Sequence, residues 1–200
     1  MKVPPEGNLQ SAKFVIIGEA PSFMEIKFGR PFVGPVGELL DASLRDAGIS
    51  RRDCYLTNVF PSELYKPKQG AVWLSQDKPV WHTIKKTFTE DGNVHLFRLR
   101  AELEGIQNKI LVPLGGIALH AVTGMSNITG WRGSFMQSNI SGFTNFCVPS
   151  LHPSTMQYGN TINRWYLTND LKRAKRQSLS PTLIKPTYDI HYRPTFAECL

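Results

Sequence analysis

Five side chains and one loop in this sequence have the types and setting that chemistry on a flat polar ligand would need. Glu19 and Glu25 put two carboxylates on a short stretch rich in glycine and proline, and either could orient or deprotonate a water molecule. Either could equally be a solvated surface acid. Gly18-Glu19-Ala20-Pro21-Ser22 is a run of small residues closed by a proline, whose amides can approach a phosphate or a water. Phe32 stands between Pro31 and the Gly34-Pro35 pair, so its ring is either a stacking platform for a base or a plug tucked onto the core. Asn58 carries a donor and an acceptor on one amide, enough to read a pyrimidine's N3–H and O4 together; the plainer alternative is a turn cap. His152, in a His-Pro-Ser triplet, could donate to a carbonyl oxygen on which charge accumulates, with Ser154 capping a short helical turn.

These residues need elements to position them, and the hydropathy pattern supplies candidates. Residues 13–18 (KFVIIG), 54–59 (CYLTNV), 110–114 (ILVPL) and 143–149 are short apolar runs that predict buried strands. Helices are predicted over 38–47, where Leu39, Leu40 and Leu44 share a face and Gly48 is a stop, and over 96–106, 117–123 and 163–176. Residues 19–37 read as a loop. Residues 60–93, interrupted by prolines at 61, 67 and 79, read as an irregular excursion with one short helix near 81–88.

Strands alternating with helices predict a three-layer α/β/α sandwich around a central, mainly parallel four-stranded sheet. Ligands of such sheets bind beyond the carboxyl ends of the strands. GEAPS follows the first strand, Asn58 ends the second, and Leu151-His152-Pro153-Ser154 follows the last. The polar motifs therefore converge on one end of one sheet.

Composition narrows the class. Two hundred residues suffice for one α/β domain, here expected over 1–177, with 178–200 a proline-punctuated tail leading to a further domain. No run is apolar and long enough to span a bilayer and the N-terminus lacks a secretory core, so a cytoplasmic protein is expected. A net charge of +7 suits a polyanionic partner through counterion release, though a basic enzyme with no such partner has the same charge. Cys54, Cys147 and Cys199 lie far apart without CxxC spacing, which argues against a disulfide framework or a zinc site. A nucleotide hydrolase finds no support, since neither GxxxxGK[ST] nor GxGxxG occurs.

Taken in order, GEAPSFMEIKFGRPFVGPVGELLDASLRDAGI, YLTNV, ILVPLGGIAL, WRG and LHPS resemble the family 4 branch of the uracil-DNA glycosylases, across roughly residues 13 to 175. The resemblance implies hydrolysis of the bond between uracil and deoxyribose in single- or double-stranded DNA, after the base has been flipped out, leaving an abasic site. It implies that Gly18, Ala20, Pro21 and Ser22 hold backbone and water, Phe32 stacks on the base, Asn58 reads its edge and His152 stabilises the departing anion. Glu19 would place the water, with Glu25 behind it, while Pro153, Ser154, Thr155 and Arg132 would hold the DNA backbone.

The sequence departs from that family in two ways. The family carries four cysteines that bind an iron–sulfur cluster; this chain lacks the N-terminal pair and has Ser62 and roughly His95 where the others would stand, so no cofactor is expected. Ser22 replaces the glycine that usually ends GEAPG, a strained choice if that position needs positive φ. A similar domain precedes the exonuclease and polymerase domains of some bacteriophage DNA polymerases, which makes such a replication protein an expected partner. The alternative function is a glycosylase-fold module kept for DNA binding or docking after catalysis was lost.

Overall fold

The computed structural model describes residues 1–65, 71–140 and 145–180. Its elements run β1 (Phe14–Gly18), α1 (Phe23–Phe28), α2 (Gly34–Asp46), β2 (Cys54–Asn58), β3 (Val72–Ser75), β4 (Lys78–His82), β5 (Thr87–Phe88), α3 (Glu90–Glu102), β6 (Ile110–Pro113), α4 (Gly116–Thr123), α5 (Ile128–Trp131), β7 (Met136–Gln137), β8 (Phe146–Cys147) and α6 (Thr161–Leu179), with 3-10 turns at Arg51–Asp53 and Pro153–Gly159. The main sheet has the order β2-β1-β6-β8-β7. The first four strands are parallel, and β7 adds an antiparallel edge.

The apolar runs explain the layers. In β1 every residue is buried, and successive side chains point to opposite faces. Val15 and Ile17 pack with Leu99 and Leu103 of the α3 region and Ala118 and Ala121 of α4. Phe14 and Ile16 pack with Leu40 and Leu44 of α2 and Leu167 and Leu171 of α6. Each fully buried aliphatic chain contributes about 1.5–3 kcal/mol of transfer free energy, so a strand buried on both faces is pinned in register. The N-terminal lead joins this frame: Glu6 bridges antiparallel to Leu56, and the Val3 amide donates to the Pro61 carbonyl at 2.8 Å.

The sandwich and its mainly parallel sheet are as expected, and four details differ. Among the described residues the sheet has five strands rather than four, because Met136–Gln137 pairs back along β8. The loop expected over 19–37 contains α1, and α2 begins at Gly34 with Pro35 in its first turn, where a missing N–H costs nothing. The excursion holds no helix near 81–88; β3, β4 and β5 form a separate antiparallel sheet. Helix α3 starts six residues earlier than expected, capped by Thr89, whose Oγ1 accepts the Gly92 amide at 3.0 Å. Gly92 sits inside that helix because a Cβ there would lie 2.0 Å from the Val80 carbonyl oxygen.

Helix α6 runs through position 177 to Leu179, while the remainder of the tail, Cys199, Lys66 and Lys68 lie outside the described residues. Cys54 and Cys147 are buried free thiols, each pushed up to about 12 by burial. Among the described residues no helix is long and apolar enough to cross a membrane.

Candidate active site

The carboxyl ends of β1 and β8 open onto a cleft of about 530 Å³, with Glu19, Ala20, Pro21 and Ser22 on one side and His152 and Ser154 on the other. Trp73 of β3 closes it from the second sheet. Strand β1 delivers Glu19 because its last residue, Gly18, pairs with Asn58 and the chain leaves the sheet at that point.

Glu19 turns toward the start of α4, where the amides of Gly116 and Ile117 donate to its carboxylate. Burial pushes its pKa up, opposed by those two amides and by the Lys86 charge. Gly115, at φ +92°, permits the approach: a Cβ there would stand 2.5 Å from Glu19 Oε1. The result is a desolvated carboxylate held by two fixed donors at a helix N-terminus.

Glu25 has a different task. Its Oε2 accepts the Ser22 amide at 2.7 Å and its Oε1 accepts the Phe32 amide at 2.5 Å. Both oxygens of this buried carboxylate thus tie the loop together, and Glu25 lines the same cleft as Glu19. Ser22 takes φ −81° and precedes α1 as its N-cap, so the glycine-to-serine change imposes no left-handed strain.

Phe32 does carry positive φ, at 51°. A phenylalanine in that region costs on the order of 1–2 kcal/mol, so its neighbours must over-determine it. Besides Glu25, Arg51 donates to the Phe32 carbonyl at 3.1 Å and to the Pro31 carbonyl at 2.9 Å. Glu6 and Asp41 hold that guanidinium in turn. Gly37 is required beneath the loop, since a Cβ there would meet the Phe32 oxygen at 2.0 Å.

Phe32 and Asn58 come together behind Gly18. A Cβ on Gly18 would lie 2.2 Å from Asn58 Oδ1 and 2.7 Å from Phe32 Cζ. Phe32 is 2% exposed and Asn58 6%, and neither lines the open cleft. The ring is therefore packed on the core side of the loop rather than displayed at a rim. The Asn58 carboxamide makes no hydrogen bond among the described residues, whereas its backbone carbonyl is held by Arg98.

His152 Nδ1 lies 3.3 Å from the Ser154 amide and 2.8 Å from Ser154 Oγ. A backbone amide can only donate, so Nδ1 is the acceptor and the neutral ring carries its hydrogen on Nε2. Burial lowers the pKa of this ring to about 4, which keeps it neutral at physiological pH. Its centroid stands 6.4 Å from that of Phe32.

The expected backbone-binding residues behave unevenly. The Ser154 amide is engaged with His152 Nδ1, and the amide and hydroxyl of Thr155 both donate to the His152 carbonyl. Pro153 is buried, which leaves the exposed Ser154 and Thr155 side chains as the surface of this turn. Arg132 is committed elsewhere: it pairs with buried Asp170 at 2.6 Å and lies 4.1 Å over the Tyr166 ring. Asp170 Oδ2 also accepts the Ser150 hydroxyl at 2.6 Å, two residues before His152, so Arg132 supports the histidine loop from behind rather than presenting a free cation.

Sequence reasoning missed Arg51, Ser150 and Asp170. Their partners lie 10 to 45 residues away along the chain, so no local motif announces them. Trp73 carried a visible signal, a tryptophan in a region of weak periodicity, which pattern alone could not place.

Ser62 and His95 stand where the resemblance would place two of the cluster's cysteines. Ser62 is buried with its hydroxyl accepting from Gln76 at 3.1 Å, and the His95 ring packs edge-on against Phe60 at 5.2 Å. No group of three or more metal-ligating side chains gathers among the described residues.

Comparison with known proteins places the chain in a family. The family model of the uracil DNA glycosylase superfamily matches residues 4–175. A type-4 uracil-DNA glycosylase of Thermotoga maritima is 32% identical over 174 residues, covering 85% of this chain and 79% of that protein. Its counterpart in Saccharolobus solfataricus is 28% identical over 182 residues, covering 86% and 74%. That of Archaeoglobus fulgidus reaches 47% over a 57-residue segment, 28% of each chain. A match over most of the chain, on a fold that brings Gly18, Glu19, Asn58 and His152 to one end of one sheet, makes this protein a member of the uracil-DNA glycosylase superfamily.

Proposed function

We propose that this chain hydrolyses the N-glycosidic bond of deoxyuridine in DNA, releasing uracil and leaving an abasic site. The observation that carries the reading is a desolvated carboxylate, Glu19, across one cleft from a neutral histidine whose free Nε2–H can donate. A DNA base is out of reach while stacked, so the uridine must first be extruded, at a cost of a few kcal/mol that is least where the base is mispaired or unpaired.

As the C1′–N1 bond breaks, its electron pair moves onto uracil and the sugar becomes oxocarbenium-like. The His152 Nε2–H donates to the uracil oxygen on which charge develops; a fixed donor in a dry site is worth far more than one in water. Glu19 accepts a proton from the water that adds to C1′. Asn58, with an uncommitted carboxamide, reads N3–H and O4, and the Phe32 ring supplies the stacking face. Because Phe32 and Asn58 are packed behind Gly18, base entry is coupled to movement of the 22–33 loop. Glu25 and Arg51 hold that loop, and Arg132 is a support for His152. These are positioning roles.

The same reading takes the enzyme to work without an iron–sulfur cluster, since Ser62 and His95 are engaged in packing and hydrogen bonding. It also keeps a replicative polymerase or exonuclease as the expected partner, on the resemblance to the domain found in some bacteriophage polymerases. The test is purified protein on a labelled oligonucleotide with one deoxyuridine, treated with alkali. Abasic-site cleavage that survives metal chelation and disappears in His152→Ala is the expected result. No product on U·G, U·A or single-stranded DNA would refute the glycosylase reading.

A further inference from the structure

A second cavity, of about 340 Å³, adjoins the cleft and shares Glu19 and Trp73 with it. His152 does not reach it. Its walls are the rings of Trp73 and Trp81 and the aliphatic chains of Ile117 and Ile128, with Thr83 and Lys86 supplying polar groups. Trp81 is a fixed wall: it is 4% exposed and packs edge-on against Phe88 at 5.0 Å and His120 at 5.3 Å. The volume lies in the range of small-molecule sites, and a mainly apolar lining with a few polar groups is what such sites have.

The rim carries one cation. Lys86, on the turn between β4 and β5, lines the cavity, is exposed and is in no ion pair among the described residues, whereas Lys85 beside it lines a separate surface pocket with His82 and Glu90. Ile84, 79% exposed, stands on the same turn. The amides at the start of α4 are already taken by Glu19, so an anion here would be met by lysine rather than by the helix. Aromatic walls, a cationic rim and continuity with the catalytic cleft suit one occupant, a nucleotide.

We propose that this cavity takes the base of the nucleotide next to the uridine on the same strand, stacked against Trp73 and Ile128 with its phosphate on Lys86. The proposal rests on the glycosylase reading and deepens it: two successive nucleotides leave the stack together, so unpaired DNA is the preferred substrate. The antiparallel sheet is then a strand-holding element, and Trp73 divides the two bases.

Equilibrium binding tests this without catalysis. The probe is a fluorescent single-stranded oligonucleotide holding one 2′-fluoro-deoxyuridine, which resists cleavage, with the base on either flank present or replaced by a tetrahydrofuran spacer. A spacer on one flank should weaken binding to the unmodified protein by about five- to ten-fold, the size of one base–aromatic stack. In Ile128→Glu and the milder Ile128→Ser the two oligonucleotides should bind alike. Lys86→Asn, which suits the left-handed φ of 54° at that position, should keep the spacer effect and lower the salt slope by about one phosphate. A spacer that costs nothing on either flank, or equally in all variants with unchanged circular dichroism, overturns the proposal. Failure to release uracil from ordinary deoxyuridine DNA would instead sink the glycosylase reading and leave the spacer result to decide the cavity.

Discussion

Two sheets face the same cleft, and they are built differently. The parallel sheet is buried on both faces: every residue of β1, β2 and β6 is buried. The antiparallel sheet is half exposed, carries a register shift between Trp73 and Leu74, and ends in a turn with three exposed residues in a row, Ile84, Lys85 and Lys86. Glu19 and His152 leave the first; Trp73 and Lys86 ride on the second. On the proposed reading, the groups that must be held to a fraction of an ångström are fixed by the frame with the larger buried surface, and those proposed to grip a flexible strand sit where local opening is easier. On this proposal chemistry and grip are divided between the two.

His152→Ala should break that division most visibly, lowering kcat about 100- to 1000-fold with an unchanged melting curve, as measured by abasic-site release. Asp170→Ala should act on the frame itself. It strands Arg132 and Ser150 without their carboxylate and should cost about 2–3 kcal/mol, a fall in Tm of roughly 5–10 °C by calorimetry. Gly18→Ala drives a methyl into Asn58 and Phe32, and should cut kcat/KM at least about ten-fold, since even small misplacement is costly in a preorganised site. Trp73→Leu should cost least, a few-fold in KM with kcat nearly kept. A Trp73 effect on kcat as large as that of His152 would erase the distinction between the sheets.

Acid sharpens the same comparison. Glu19 must be ionised to take a proton, and burial raises its pKa, so kcat should fall as pH drops toward the carboxylate range; Glu19→Gln should remove that limb from a pH–rate profile. His152 contributes no limb near 6.5, because its folded-state pKa is about 4. Between those values the unfolded chain holds the proton and the folded one does not. Protonation of His152 therefore costs the fold nothing above about 6.5, and stability is lost as pH falls from there toward about 4.

Much of the parallel sheet was legible because its strands are apolar runs bounded by glycine or proline, a signal carried within five or six residues. The antiparallel sheet was not. The β3–β4 turn places Gln76 and Asp77 at φ 51° and 63°, the left-handed pair of a hairpin turn, without the Asn-Gly or Asp-Gly that usually marks one. Pro79 inside β4 reads as a strand breaker, yet it sits on a short strand beside the irregularity in pairing. Gly92 hid the start of α3, since its need for space arises from Val80, on another element.

The sequence by itself determined which side chains reach the active end of the sheet. Gly18, Glu19, Asn58 and His152 each follow or end a strand, and strand polarity in a parallel sheet sends them all one way. Only the tertiary structure decided what each does there. Glu19 and Glu25 are alike in sequence, but one lies against the amides of α4 and the other is spent on those of Ser22 and Phe32. Arg132 looked free for phosphate until Asp170, 38 residues on, claimed it. Local runs are set by short-range sterics and burial, whereas the role of a charge depends on the partner that packing brings within 3 Å, and that partner is chosen by the whole fold.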